Sequence, residues 1–296
     1  MKTVSDFIFC ELEKLNIKHV FLVPGGGAMH LNDALERNQN IEPIVCQHEQ
    51  ACGISAEAYG RIGEKDDPKF GVALVTSGPG STNVITPVAG AWIDSIPMLI
   101  ISGQAKTDDL NPGNLRQGGV QEVNIIELVK SITKYSVQID DANSISYHLE
   151  KAINIMLKGR QGPVWIDIPL DIQAKKISTK RDFQLYKKTK IEYSLSPIEL
   201  IIKNAQRPLI LAGHGARLSG SSKVFEEWVE KHRVPVITTW NALDLLAHDN
   251  ELNIGRPGVV ANRAANIVIQ NSDLIIVLGA RLDNVVTAYK LEDFGR

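Results

Sequence analysis

The strongest constraint on the fold is a set of short apolar runs in the first half of the chain: "HVFLV", "GVALV", "PMLIIS" and "VWIDIP". Each contains β-branched residues, and the first three are followed by a glycine- or proline-containing turn. Strands that are apolar on both sides belong in a parallel sheet covered by helices on both faces. The segments between them have helical spacing. Val4, Phe7, Ile8, Leu12 and Leu15 recur at that period, as do Ile145, Leu149, Ala152, Ile153 and Met156, for which Asn143 is a candidate N-cap. The pattern also predicts a helix from about Ala28 to Arg37, a short strand in "IEPIVC", a helix around Glu49 and one helix over "STNVITPVAGAWID". The expected class is therefore α/β, with a parallel sheet and helices on both faces.

The segment "AKKISTKRDFQLYKKTKIEYS" is basic, polar and weakly periodic, which marks residues 174–194 as a linker. Beyond it, "RPLILAGHGARLSG", "VPVITTW" and "SDLIIVLGAR" restart the strand-turn-helix pattern. The domains predicted are thus 1–173 and 195–296, the second an α/β unit short of strands.

Composition excludes several classes. A net charge of −2 argues against nucleic acid or an anionic membrane as partner. No run approaches the ~18 apolar residues of a membrane span, and "MKTVSDFIFCELEKLN" is too acidic for a signal peptide. The three cysteines, Cys10, Cys46 and Cys52, lack metal-ligand spacing. They are expected to be small buried hydrophobes in a reduced, cytoplasmic protein.

Three glycine turns each follow a strand and precede a helix. The first contains Pro24, Gly25 and Gly26, the second Gly78, Pro79 and Asn83, and the third Gly213 and Gly215. In open α/β sheets ligands bind at the carboxyl ends of strands, where glycine lets the backbone approach and helix N-termini favour anions. None is a P-loop, and Asn83 breaks the dinucleotide fingerprint in the second. Each is also consistent with a tight structural turn. Three on one edge would make that edge a binding face, with "AGHGARLSG" the most nucleotide-like.

Glu49 falls where a strand ends and a helix begins. An acid there is favoured by the helix dipole, by about 0.3–1 kcal/mol. Full burial would instead raise its pKa by roughly 3–5 units and make it a proton donor and acceptor near neutral pH. The residue pattern leaves both open. Cys52, Gly53, Ala56 and Gly60 share its side of the helix, a stripe that permits close approach by another helix or a flat ligand.

The runs "HEQACGISAEAYGRIG", "VALVTSGPGSTNVITPVAGAWIDSIPMLIISGQ", "LRQGGVQEVNI" and "GPVWIDIPLDIQ" occur in that order. In this the chain resembles the thiamine-diphosphate-dependent enzymes of the acetolactate synthase type. The resemblance implies a pyrimidine-binding domain, then part of a Rossmann-like central domain, with the third, diphosphate-binding domain absent. It makes Glu49 the acid that hydrogen-bonds N1′ of the cofactor's aminopyrimidine. It places Pro24, Gly25 and Gly26 near the reacting centre, and Gly78, Pro79 and Asn83 on the aminopyrimidine. Gln121 belongs to the active-site wall. Arg160, Gly258 and Arg281 match or resemble segments that contact FAD in the central domain. Gly213 and Gly215 remain candidate nucleotide contacts on their glycine turn alone.

Implied activity is decarboxylation of a 2-oxo acid such as pyruvate and transfer of the product fragment to a second carbonyl compound. A homodimer or homotetramer is implied as well. A simple 2-oxo acid decarboxylase or oxalyl-type lyase on the same scaffold is the alternative. A non-catalytic nucleotide- or flavin-binding module is the alternative of another class. The chain departs from the family in having Val120 where Phe is usual, which bears on the acceptor substrate, and in lacking Gly-Asp-Gly, the family's Mg²⁺ motif. Mg²⁺ is therefore expected only in the missing domain, and this chain alone is expected to be inactive.

Overall fold

The computed structural model describes residues 2–63, 70–111, 113–178, 183–185 and 194–295. The chain divides into two compact units, Met1–Thr189 and Lys190–Arg296.

In the first unit the elements follow in the order β1 (Lys2–Thr3), α1 (Val4–Lys14), β2 (His19–Leu22), α2 (Met29–Arg37), β3 (Glu42–Val45), α3 (Glu49–Ile62), β4 (Gly71–Val75), α4 (Pro79–Asn83), α5 (Ile85–Asp94), β5 (Met98–Gln104), α6 (Ile125–Val129), β6 (Tyr135–Gln138), α7 (Ile145–Leu157), β7 (Val164–Pro169), α8 (Leu170–Ala174) and β8 (Lys176–Ile177). Six strands form one sheet in the order β3-β2-β4-β5-β7-β6, parallel throughout. Every residue of β4, β5 and β7 is buried, as the unbroken apolar runs require. Val72, Leu74, Leu99, Ile101, Val164 and Ile166 face one core together with α1, α2 and α7. The alternate residues face the side covered by α3 and α5.

The chain runs from β2 outward to β3, then returns to the other side of β2 as β4. The connections therefore diverge between the carboxyl ends of β2 and β4. Such a switch point opens a crevice at the edge of a parallel sheet. The first two glycine turns meet there.

Four sequence expectations require correction. Helical "STNVITPVAGAWID" is broken at Val84 into α4 and α5. Pro87 lacks an N–H, and its ring crowds the carbonyl four residues back, at Asn83. Asn143 does not cap α7; the Asp141 side chain accepts from the Asn143 N–H and opens a short 3₁₀ turn ahead of the helix. The strand Tyr135–Gln138 was not expected, because an edge strand whose residues are all half-buried carries no apolar run. Within the expected linker 174–194, Ala174 closes α8, and Lys176–Ile177 pairs antiparallel with Lys2–Thr3. Residues 179–182 and 186–193 of that linker lie outside the described residues.

The second unit contains α9 (Ser196–Asn204), β9 (Pro208–Ala212), α10 (Gly215–Leu218), α11 (Ser222–His232), β10 (Val236–Thr238), β11 (Asn253–Gly255), α12 (Arg263–Asn271) and β12 (Leu274–Leu278). Its four strands are parallel in the order β11-β10-β9-β12. Apolar clusters cover both faces, one around Ile210, Phe225 and Val236 and one around Leu209, Leu211 and Ile269. Both units are thus α/β, as expected. The third glycine turn belongs to this second sheet, so the three turns do not share one edge.

Candidate active site

Glu49 is the first residue of α3. His48 precedes it as the N-cap, its Nδ1 accepting from the Gln50 N–H at 3.0 Å. Glu49 is partly buried. Its Oε2 accepts a hydrogen bond from Asn83 Nδ2 at 2.9 Å. Its Oε1 faces Gly80, where a Cβ would come within 3.4 Å. The short α4 thus presents Gly80 and Asn83 to the two carboxylate oxygens. Gly78 opens that helix with φ of +56°, a conformation glycine adopts without strain.

The glycine loop after β2 is fixed against the same edge. The Gly27 N–H donates to Thr76 Oγ1 at 3.0 Å, and Asn32 Nδ2 donates to the Gly25 carbonyl at 3.3 Å. Gln173 Nε2 donates to the Gly27 carbonyl at 2.8 Å. A side chain on Gly25 or Gly27 would collide with Thr76 or Ser77, whereas Gly26 faces open space, with nothing within 4 Å. Gly26 and Pro24 are the exposed residues of this loop, with Gly25 between them packed on Thr76. Nothing in the sequence pattern marks Thr76, Asn32 or Gln173 for these contacts. Thr76 lies inside a quoted motif, but only the fold reveals that it bridges β2 and β4.

The small-residue stripe on α3 is occupied by the protein itself. A Cβ on Gly53 would strike Pro87 and Val84 of the α4–α5 segment, and one on Gly60 would strike the Pro97 carbonyl. Gly71 of β4 approaches Ala56 so closely that its missing Cβ would lie 1.8 Å from the Ala56 carbonyl oxygen. Of the two occupants the stripe allowed, packing by the protein's own chain holds at Gly53 and Gly60. Arg61 Nη2 bonds Glu57 on α3 and Asp94 on α5, joining the helices at their far ends.

Cys52 is buried, while Cys10 and Cys46 are only half-buried, so just one cysteine is the expected buried hydrophobe. Burial pushes the Cys52 thiol up, and neighbouring Cys46 and Glu49 push it further.

Gln121 approaches the site through its backbone. Its carbonyl oxygen occupies the space that a side chain on Gly78 would need, 2.2 Å from the ideal Cβ position. Gln121 itself adopts φ of +57° and is exposed, and Val120 beside it is 86% exposed. Glu122 holds the loop by accepting from the N–H groups of Asn111, Gly118 and Gly119. Burial alone would raise its pKa, but these donors prevail and lower it.

Other candidates lie elsewhere. Arg160 precedes β7, and its Nε donates to Ser95 Oγ, just before β5. It therefore sits at the amino ends of the strands, opposite Glu49. In the second unit the N–H groups of Gly213 and Gly215 donate to the carbonyls of Leu278 and Gly279. A Cβ at either would overlap the Gly279–Ala280 backbone, so these glycines serve a close crossing of two turns. Gly258, with φ of +103°, lies against the Val285 carbonyl and exchanges two hydrogen bonds with Asn266. Arg281 is exposed. Among the described residues, no group of three or more His, Cys, Asp or Glu is placed to hold a metal ion, and no helix is long and apolar enough to cross a membrane.

Comparison with known proteins matches both units. Residues 2–128 fit the family described as thiamine pyrophosphate enzyme, N-terminal TPP binding domain, and residues 198–296 fit thiamine pyrophosphate enzyme, central domain. The acetolactate synthase large subunit of Lactococcus lactis is 33% identical over 290 residues, covering 96% of this chain and 49% of that protein. The acetolactate synthase isozyme 1 large subunit of Escherichia coli is 33% identical, with coverage of 95% and 49%. The chloroplastic acetolactate synthase of Arabidopsis thaliana is 31% identical, with coverage of 98% and 43%. The chain spans about half the length of these curated relatives. With the two domain matches in their expected order, and with relatives of one name along nearly its whole length, the chain belongs to the thiamine pyrophosphate enzymes.

Proposed function

We propose that the chain forms the pyrimidine-binding and central parts of an acetolactate synthase-like carboligase acting on a 2-oxo acid, pyruvate being the favoured substrate. The Glu49–Asn83 pair at the switch-point crevice carries the proposal. A carboxylate with one oxygen fixed by an amide and the other beside a side-chain-free residue suits a flat heterocycle whose ring nitrogen needs a proton. Thiamine diphosphate, when bound, supplies the carbon nucleophile of the reaction. Glu49 holds the proton at the pyrimidine N1′, and Asn83 keeps its carboxylate turned toward that atom. Pro24, Gly25 and Gly26 form the adjoining loop, Gly78 and Pro79 set α4, and Gln121 forms the opposite wall. Glutamate suits the role, because aspartate is one methylene short and glutamine cannot transfer the proton.

We assign the diphosphate and Mg²⁺ to residues outside this chain, and FAD to the second unit, with Gly258 and Arg281 as its contacts. Gly213 and Gly215 contribute to such a site only by shaping the turn, since their N–H groups are engaged. A homodimer or homotetramer in the cytoplasm completes the proposal. Val120 leaves the wall beside the reacting centre without the usual aromatic bulk, which favours a different or wider acceptor.

The test is to supply the full-length protein with thiamine diphosphate, Mg²⁺ and pyruvate and to identify the product. A 2-alkyl-2-hydroxy-3-oxo acid, formed through a new carbon–carbon bond with release of CO2, supports the carboligase. Acetaldehyde alone makes it a decarboxylase, and no consumption of pyruvate or other 2-oxo acids contradicts the proposal.

A further inference from the structure

We propose that Gln104 is a positioning residue for this reaction, tying the loop that carries Gln121 to a buried carboxyl group in the sheet; the inference rests on the proposed function. Gln104 ends β5 at the centre of the sheet and is 2% exposed. Its Nε2 donates to the Val123 carbonyl at 2.9 Å and to Asp167 Oδ2 at 3.0 Å. Its Oε1 accepts from the Ala105 N–H at 3.0 Å. Both amide hydrogens and the amide oxygen are therefore engaged.

Asp167, on β7, is wholly buried. Its Oδ1 accepts from Ser102 Oγ, which in turn accepts from the Trp165 indole N–H at 2.7 Å. A carboxyl group inside a sheet is costly unless every oxygen is hydrogen-bonded. Here it has a specific effect. Oδ2 presents an acceptor to Gln104, so the amide must turn its NH₂ inward. The same NH₂ then reaches the Val123 carbonyl. A flipped amide would set oxygen against oxygen at both contacts.

The loop needs such a tie. Residues 113–118 and Val120 are exposed, and the first deeply buried apolar residue after Gly119 is Ile125. Val123 lies two residues beyond Gln121, whose carbonyl rests over Gly78. Gly78 opens α4, which carries Asn83 to Glu49. Gln104 thus fixes the height of the Gln121 wall above the helix that holds Glu49, without touching the site itself.

The experiment uses the full-length protein carrying Gln104→Met, which keeps the length and removes both bonds, and Asp167→Leu. Asp167→Asn is the conservative variant, because its amide oxygen can still accept from Gln104. In Gln104→Met and Asp167→Leu, KM for the 2-oxo acid should rise about tenfold with kcat within about threefold, and Asp167→Asn should restore KM. Cofactor affinity should stay unchanged. Amide hydrogen exchange should quicken over residues 118–124 and not over α3. Unchanged exchange in that loop, or exchange quickened equally across α3 with cofactor affinity lost, would overturn the proposal. A wild-type protein inert toward 2-oxo acids would instead refute the functional assignment, and the loop exchange would still decide the role of Gln104. If Gln104→Met fails to fold, Asp167→Leu set against Asp167→Asn gives the same comparison.

Discussion

Asn83 and Glu49, 34 residues apart in sequence, meet at 2.9 Å because α4 and α3 start at the same edge of one parallel sheet. The bond fixes the carboxylate before any ligand arrives. A hydrogen bond to a charged group is worth about 1.5–3 kcal/mol. Asn83→Leu should therefore weaken thiamine diphosphate binding to the full-length protein by about tenfold or more, as titration calorimetry would record. Affinity equal to wild type would mean that Asn83 does not orient Glu49.

The space around the missing Cβ predicts opposite effects for two glycines. Gly71→Ala forces a methyl group into the Ala56 carbonyl, which is backbone and cannot step aside. It should destabilise the first unit by at least about 1–3 kcal/mol. Gly90 lies inside α5 with nothing within 4 Å of its ideal Cβ position. Gly90→Ala should stabilise by up to about 1 kcal/mol, from helix propensity alone. Urea unfolding of the two variants gives the signs.

Burial, partly offset by the Ser102 and Gln104 hydrogen bonds, pushes the Asp167 carboxyl up to about 7. The folded state thus holds a proton that the unfolded chain releases near the ordinary carboxylate value. Between those values the folded state binds more protons, so stability falls as pH rises, and it levels off above about 7. The slope for one group is at most about 1.4 kcal/mol per pH unit. Relative to Asp167→Asn, the wild type should lose stability from about pH 4.5 to 7. Unfolding midpoints of the two proteins that stay parallel over that range would contradict it.

Much of this was legible in the sequence, and the remainder has physical reasons. The apolar runs of β4, β5 and β7 announce a buried parallel sheet, and Glu49 begins a helix as its place after "IEPIVC" suggests. Tyr135–Gln138 was hidden because an edge strand needs no apolar run. Gly53 and Gly60 showed that something approaches α3 closely, but not that the Pro87 segment and the chain around Pro97 do so. Gln104, Asp167 and Thr76 act through partners far away in sequence, and single polar residues within apolar runs give no sign of those partners.

The most direct test is exchange of the C2 proton of thiamine diphosphate bound to the full-length protein, with wild type set against Glu49→Gln. Glutamine retains the shape and the bond to Asn83 but cannot deliver a proton. The account predicts exchange slowed by about a hundredfold or more, the scale of general acid–base catalysis. Exchange in the variant as fast as in wild type would contradict it.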